Sequence, residues 1–396
     1  MQNDFITQLL GIKESYIEVE HAEVMDHAFH IEMGTKVRRV TCPNCKKKTK
    51  YVHGYRMQRV QGRLIEERPV VFHLRKRRYK CKACQKTFYE TLGFVGRYQR
   101  RTCSLNEQVL TYVSENSFTQ AGKICGVSSS SVLRLFDKRS IPQRRVLPRV
   151  LAIDEFKGDA GKEKFQTILV DAEKKEIIEV LPDRRVETLE TYFGSCDIGN
   201  VQIVVMDMSR TFKRAVEKAF DKPLIIADRF HFMRQAYWAL DKVRREVQKL
   251  LLKEERLSCK RGKKLLWLAP EKLDEKGREK VNELLDLHPN LKEAYELKNA
   301  LHDWFHQSNT HTVKGNLEEW FQMVKNSSIR TFDSVVKTFM NWNTEILNAF
   351  VYPFNNGYIE GVNNTTKVIK RMSYGIKSFE RLRKKILFRQ AIRSVA

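Results

Sequence analysis

Residues 105–138 carry apolar side chains at helical spacing: Leu105, Val109 and Val113, then Phe118, Ala121 and Ile124, and beyond Gly126 Val132, Leu133 and Phe136. The pattern predicts helices broken at a glycine, the last of them opened by Ser128 as N-cap. From residue 149 the texture changes to short apolar runs at 150–153, 165–170, 176–181, 201–206 and 224–227, which predict strands. The second and third flank residues 171–175, as in an antiparallel hairpin, and helical stretches at about 186–193 and 211–220 lie on either side of the fourth. Phe232, Met233, Ala236, Tyr237, Leu240, Val243 and Val247 then predict a long amphipathic helix. Helical patterning continues at 250–268, 271–287, 290–307, 316–326, 331–351 and 358–371, and a basic amphipathic helix is expected at 377–389, where it would add phosphate contacts. Upstream, 50–60 and 63–80 read as strands turning near Gln61-Gly62.

A chain of 396 residues is too long for one core. The stretch 140–148, with Pro142, Pro148 and Arg144-Arg145, reads as a boundary. The expected division is an N-terminal region 1–100, a segment 101–148 with its linker, and a domain 149–396 interrupted by a helical insertion at about 250–350. With 42% hydrophobic residues, only 18 Gly and 9 Pro, disordered and fibrous classes are excluded.

Charge narrows the partner. Lys plus Arg number 73 against 48 Asp plus Glu, a net +25, which points to a polyanion such as nucleic acid. Residues 1–150 hold 29 basic and 13 acidic side chains, and 34–103 hold 21 and 3. No apolar run approaches the roughly 18 residues of a spanning helix, and the first residues lack secretory-signal features. The expected location is cytoplasmic, nucleoid-associated, with no membrane partner.

Two Cys-x-x-Cys knuckles, Cys42-Pro-Asn-Cys45 and Cys81-Lys-Ala-Cys84, can each present two thiolates to one tetrahedral Zn²⁺, a zinc-ribbon pattern with strands between the knuckles. With all four positions filled, the zinc would be structural. Cys103, Cys125, Cys196 and Cys259 read as packing residues. The helix–Gly–helix segment fits a helix-turn-helix whose second helix offers Ser129, Ser130, Arg134 and Lys138 to a major groove.

In the second half, a three-strand meander followed by strand–helix–strand is the order of a ribonuclease-H-like core. Asp154 ends the first run and Asp207 the fourth, so in that topology the two carboxylates are neighbours able to bridge divalent cations. Glu155, Asp171 and Glu176 are weaker competitors, off the strand end or in the hairpin turn. Glu360 is the candidate third carboxylate: on a helix, Glu360, Asn363, Asn364, Lys367 and Arg371 share a face that would supply a metal ligand and then DNA phosphate contacts. Mg²⁺ suits such an oxygen cluster, and two ions would activate a hydroxyl and stabilise a leaving oxygen. Asp228, opening the long helix, reads equally as its cap and as an active-site auxiliary, and His231, one turn in, reads as an auxiliary that donates to a phosphate or orients an acidic ligand. Trp267, Trp304, Trp320 and Trp342 read as core of the insertion.

Taken together, the zinc ribbon, the helix-turn-helix, Ile153-Asp154-Glu-Phe, Met206-Asp207-Met, Ala227-Asp228-Arg-Phe-His231 and Asn356-Gly-Tyr-Ile-Glu360-Gly-Val-Asn-Asn resemble bacterial insertion-sequence transposases of the DDE type, specifically the ISL-three group, over nearly the whole chain. The resemblance implies a multidomain α+β protein with a ribonuclease-H-like catalytic core and a large all-helical insertion. It implies Asp154, Asp207 and Glu360 as a Mg²⁺ triad, with Mn²⁺ able to substitute, and Asp228 and His231 close to it. The implied substrates are double-stranded DNA bearing terminal inverted repeats and a target DNA, held by a homodimer. The alternative is a catalytically silent, sequence-specific DNA-binding regulator, which would have no need of three carboxylates facing phosphates.

Overall fold

The structure, a computed structural model, describes residues 2–393 and divides into two compact units. The first comprises the residues up to Ile141, Val368–Ile376 and the residues from Lys384 on; the second comprises Pro142–Lys367 and Lys377–Arg383. The residues from Lys384 on thus belong with the N-terminal part of the chain.

In the first unit, α1 (Gln2–Leu9) precedes β1 (Ile17–Met25), β2 (Ala28–Thr35), the short β3 (Val40–Thr41) and β4 (Lys48–Thr49), β5 (Val52–Ile65), β6 (Arg68–Lys80) and β7 (Thr87–Tyr89). The sheet order is β1-β2-β6-β5, with β7 against β6, and β2 runs parallel to β6. Met33, Val60, Phe72, Leu74, Leu92 and Val95 form its buried core. The β5–β6 turn falls at Glu66-Glu67, both at positive φ (48° and 61°), and not at Gln61-Gly62. Gly62 lies within the strand because a Cβ there would stand 2.6 Å from the Phe72 ring. Its glycine answers a close approach, not a turn.

Helices α2 (Cys103–Glu115), α3 (Phe118–Ile124) and α4 (Ser129–Lys138) follow. Thr102 and Ser117 cap the first two through their hydroxyls, accepting from the amides of Leu105 and Gln120. Ser128 occupies the N-cap position of α4 without capping, since its hydroxyl bonds those of Ser130 and Ser131. Gly126 takes φ +63° to end α3, a left-handed position that glycine adopts without strain. Leu105, Val109, Val113, Ala121, Val132 and Phe136 are buried together. Phe136 packs against Phe118 at 5.2 Å and edge-on against Phe388 of the C-terminal helix Phe379–Arg393 at 6.0 Å. Two of its basic residues are engaged within the unit. Lys385, fully buried, donates to the Asn116 carbonyl (2.7 Å) and to Ser373 Oγ (2.8 Å), and Arg389 grips Glu115 with its fork. Neither side chain is left for the phosphate contacts expected of this segment.

The second unit is built on β8 (Val150–Ala160), β9 (Glu163–Asp171), β10 (Glu176–Leu181), β11 (Ile203–Met206) and β12 (Leu224–Ala227), in the order β10-β9-β8-β11-β12. The first three are antiparallel; β11 runs parallel to both β8 and β12. Helices α5 (Val186–Gly194) and α6 (Arg210–Ala219) cover one face, with Leu151, Ile153, Leu169, Phe193, Met206 and Phe212 at the centre. After α7 (Arg229–Val247) come α8 (Lys253–Arg261), α9 (Lys263–Trp267), α10 (Glu275–Leu285), α11 (Pro289–Gln307), α12 (Val313–Asn326), α13 (Asp333–Asn341) and α14 (Asn343–Val351). Trp304, Trp320 and Phe339 cluster with Phe232 inside this helical array, Trp342 is buried, and Trp267 stacks half-buried on Tyr237. Asn348 Nδ2 of α14 donates to the Ile225 carbonyl of β12, tying the array back to the sheet edge. The chain then enters α15 (Gly357–Met372) and α16 (Phe379–Arg393).

Phe136→Ala removes the ring shared by α3, α4 and the C-terminal helix. It should destabilise the first unit by about 3–5 kcal/mol, read as a lower denaturant midpoint at unchanged slope.

Candidate active site, zinc cluster and basic cleft

β8 runs on to Ala160, so Asp154 lies within a strand and not at its end. What ends near Asp154 is the parallel pairing with β11: Ile153 faces Met206 in the last register pair, and Asp154 and Asp207 follow directly. Beyond that point β8 pairs only with β9, Asp154 opposite Ile168. The pairing brings the two aspartates side by side where the sheet opens.

Both are largely buried and both are hard to ionise. Desolvation first, opposed by the Glu155 amide and reinforced by Asp207, pushes Asp154 up to about 7. Burial likewise raises Asp207, against the attraction of His231 and with the repulsion of Glu155 and Asp228. Asp154 Oδ1 accepts from the Glu155 amide (2.7 Å) and Oδ2 from Asn363 Nδ2 of α15 (2.8 Å). Asp207 Oδ1 is buried with no hydrogen-bond partner, a state that costs free energy unless something positive occupies the space.

Asp228 and His231 open α7, whose first residue follows β12. Asp228 holds the N-cap position but makes no side-chain cap bond. Its Oδ2 instead lies 2.9 Å from His231 Nδ1, and its Oδ1 accepts from the Asn356 amide (3.3 Å). Burial disfavours a charged imidazole, yet the hydrogen bond and charge of Asp228, with Asp207 and Asp154 behind them, raise His231 overall. The cap reading gives way to a carboxylate–histidine pair within the field of the two aspartates.

Glu360 lies on α15 one turn before Asn363 and is exposed. Among the described residues, it does not converge with Asp154 and Asp207 into a ligand cluster. Lys367 and Arg371 are exposed on the same helix, Lys367 donating to Asn364 Oδ1. The competing carboxylates are engaged elsewhere: Glu155 with Arg184, Asp171 with the amides of Glu173 and Lys174, and Glu176 with Arg144. On α4, Ser130, Arg134 and Lys138 are exposed and Ser129 is half-buried.

In the first unit, the four thiols of Cys42, Cys45, Cys81 and Cys84 lie within 4.8 Å of one another. Cys42 and Cys84 are 3.6 Å apart, Cys45 and Cys81 3.5 Å. Each knuckle turns on the residue after its second cysteine, Lys46 (φ 61°) and Gln85 (φ 58°), and each returns an amide to the carbonyl of its first cysteine. Hydrogen bonds from the Lys86 backbone and the Asn44 side chain lower the Cys84 thiol, and backbone hydrogen bonds lower Cys81, favouring the thiolate form a metal takes. At Cys45 the Lys47 backbone hydrogen bond lowers the thiol but is outweighed by burial and the neighbouring thiols, which raise it. The set is a closed four-sulfur site that fits structural zinc.

A cleft of about 1530 Å³ opens beside β5 and β6 in the same unit, lined by eight Lys/Arg and two acidic residues. Lys76, nine-tenths buried within it, is lowered by desolvation, countered by Glu90 and reinforced by Arg56 and Arg97. The sequence located the charge but not the concavity, which the β5–β6 ribbon and the 86–100 segment create together.

A family model of ISL3 transposases matches residues 151–386. The chain belongs to the ISL3 transposase family. A second model, the zinc-finger of transposase IS204/IS1001/IS1096/IS1165, matches residues 38–84, the span of the four cysteines. The transposase for insertion sequence element IS1001 from Bordetella parapertussis is 26% identical over 375 residues, 91% of each chain. The family membership and the four-sulfur cluster agree on structural zinc, and no described helix is long and apolar enough to cross a membrane. Sequence reasoning missed the Asp154–Asn363 bond and the Asn356 amide on Asp228; the run Asn356 to Asn364 held both residues, without a signal for which aspartate each would meet.

Metal analysis of purified protein should find one zinc per chain, and Cys84→Ser or strong chelation should unfold the knuckles, seen as protease cleavage near residues 42–48 and 81–86. For Asp154, the folded pKa lies above the ordinary value of 3.8. Its contribution therefore favours the fold below that value and is lost as pH rises through about 7. Magnesium-free protein should melt at falling temperature from about pH 4 to about pH 7, and Asp154→Asn should flatten that slope.

Proposed function

We propose that this transposase binds the terminal inverted repeats of an insertion sequence, cuts phosphodiesters with divalent-metal help and joins the freed 3′ end to target DNA. The observation that carries the reading is the pair of buried aspartates at the mouth of the β8–β11 pairing, one of them with an oxygen that has no partner. Two carboxylates so placed suit oxygen-preferring Mg²⁺ or Mn²⁺, with Asp154 and Asp207 as ligands and Glu360, on the helix face of Asn363, as the third. When bound, paired ions would activate the attacking hydroxyl and stabilise the leaving oxygen. Asn363 fixes one oxygen of Asp154, leaving the carboxylate a defined orientation. Asp228 holds His231 in one ring orientation and favours its protonated form, so that its free nitrogen can donate to a phosphate oxygen.

The sheet order, with its antiparallel meander and two parallel strands, supports a ribonuclease-H-like core interrupted by an all-helical insertion. For end recognition, the α3–α4 pair supports a helix-turn-helix whose second helix presents Ser129, Ser130, Arg134 and Lys138 to the major groove. The basic cleft would add sequence-independent phosphate contacts, and Lys367 and Arg371 would follow the backbone near the cut. Holding two ends at once favours a homodimer on DNA, working in the bacterial cytoplasm at the nucleoid.

Labelled DNA carrying the element's ends should be cut and joined with Mg²⁺ or Mn²⁺. Asp207→Ala should lose at least about a thousandfold in rate while retaining DNA affinity. Wild-type protein that binds the ends but neither cuts nor joins with either metal would make it a DNA-binding regulator instead. Arg134→Ala should weaken binding of the ends and lower the salt dependence by about one counterion.

A further inference from the structure

One face of α7 is unlike the rest of the second unit. Phe230 and Trp238 remain 52% and 46% exposed, on a helix whose other aromatic residues are buried or half-buried. Arg234 stands between them, its guanidinium 5.2 Å from the Phe230 ring centroid and 4.6 Å from that of Trp238. The three are spaced four residues apart, about 6 Å per step along the axis, so they form one continuous ladder. Its lower end touches the candidate active site. The Phe230 ring meets the His231 ring edge-on at 5.7 Å, and His231 bonds Asp228 within the field of Asp154 and Asp207.

We propose that this ladder is a stacking rail for unpaired nucleotides next to the phosphodiester being cut. The chemistry follows from the residue types. Aromatic faces accept any base by stacking, and a guanidinium between them adds a planar cation for a base or a phosphate. Arg234 makes no ion pair among the described residues, and its buried Nε has no hydrogen-bond partner, so no carboxylate matches its charge between the two aromatic faces. An anion carrying flat rings matches both features at once. A second copy of this chain would match the rings but not the cation. The inference rests on the proposed active site, because it is the adjacency to Asp228 and His231 that locates the strand.

The test compares affinities of the full, zinc-loaded chain for a single strand of about 20 thymidines and for a mixed-sequence duplex of the same length, at near-physiological salt. Trp238→Ala and Phe230→Ala should each weaken single-strand binding roughly 5- to 100-fold and leave duplex binding within about twofold. Trp238→Phe should keep the affinity, and the intrinsic fluorescence that the single strand quenches in the wild type should go unquenched in that variant. Equal losses on both DNAs, or an unchanged single-strand affinity, would overturn the proposal. An unchanged affinity together with a lower sedimentation mass for Trp238→Ala would assign the ladder to contact between copies. These readouts need no cleavage, so a failure of metal-dependent cutting bears on the proposed reaction and leaves this experiment to be judged separately.

Discussion

Four residue pairs of parallel strand, from Val150 opposite Ile203 to Ile153 opposite Met206, impose the constraint on which the second unit turns. They carry two aspartates out of a dry sheet interior at the same level and leave them adjacent. Hydrogen bonds along the pairing fix the register, and the buried Leu151, Ile153, Val204 and Met206 make any slip costly because a one-residue shift would turn the core face outward. The fold thus holds two like charges together where neither is well solvated. Asn363, the Glu155 amide and the Asp228–His231 pair all lie around that tension, and each eases or orients one part of it.

Much of this was legible from alternation and spacing. The five strands of the second sheet and the helices between them fall where the apolar runs put them, because their cores are local: each run is long enough to define its own period. The four cysteines were legible for a different reason, since tetrahedral sulfur ligation leaves few ways to arrange two Cys-x-x-Cys knuckles. Less legible were features decided by partners distant in the chain. Gly62 looks like a turn until Phe72 is seen across the ribbon. Asp154 looks like a strand end because its first neighbour stops there while its second does not. Lys385 and Arg389 of the basic C-terminal helix look like phosphate ligands until Glu115 and the Asn116 carbonyl are found beneath them.

Glu360 illustrates the remaining gap. The periodicity of α15 places it on the face of Asn363, which reaches Asp154, but periodicity fixes a direction around the helix and not a distance from the sheet. The Phe230, Arg234 and Trp238 ladder was hidden for the converse reason. Its residues interrupt an amphipathic pattern that otherwise explains α7 fully, so a reading based on buried positions passes over them.

The C-terminal residues from Lys384 on complete the core of the first unit, with Phe388 seated against Phe136 and Lys385 closing the end of α2. During synthesis the N-terminal segment therefore emerges from the ribosome well before the residues from Lys384 on that complete its packing. A chain ended early by a stop codon or a frameshift would lack them even if every residue of the zinc ribbon and of α2 to α4 were present. Translation interrupted before Lys384 then yields an incompletely packed N-terminal unit, exposed to proteases. The persistence of the N-terminal unit is thereby tied to translation through the helix that carries Lys385 and Phe388.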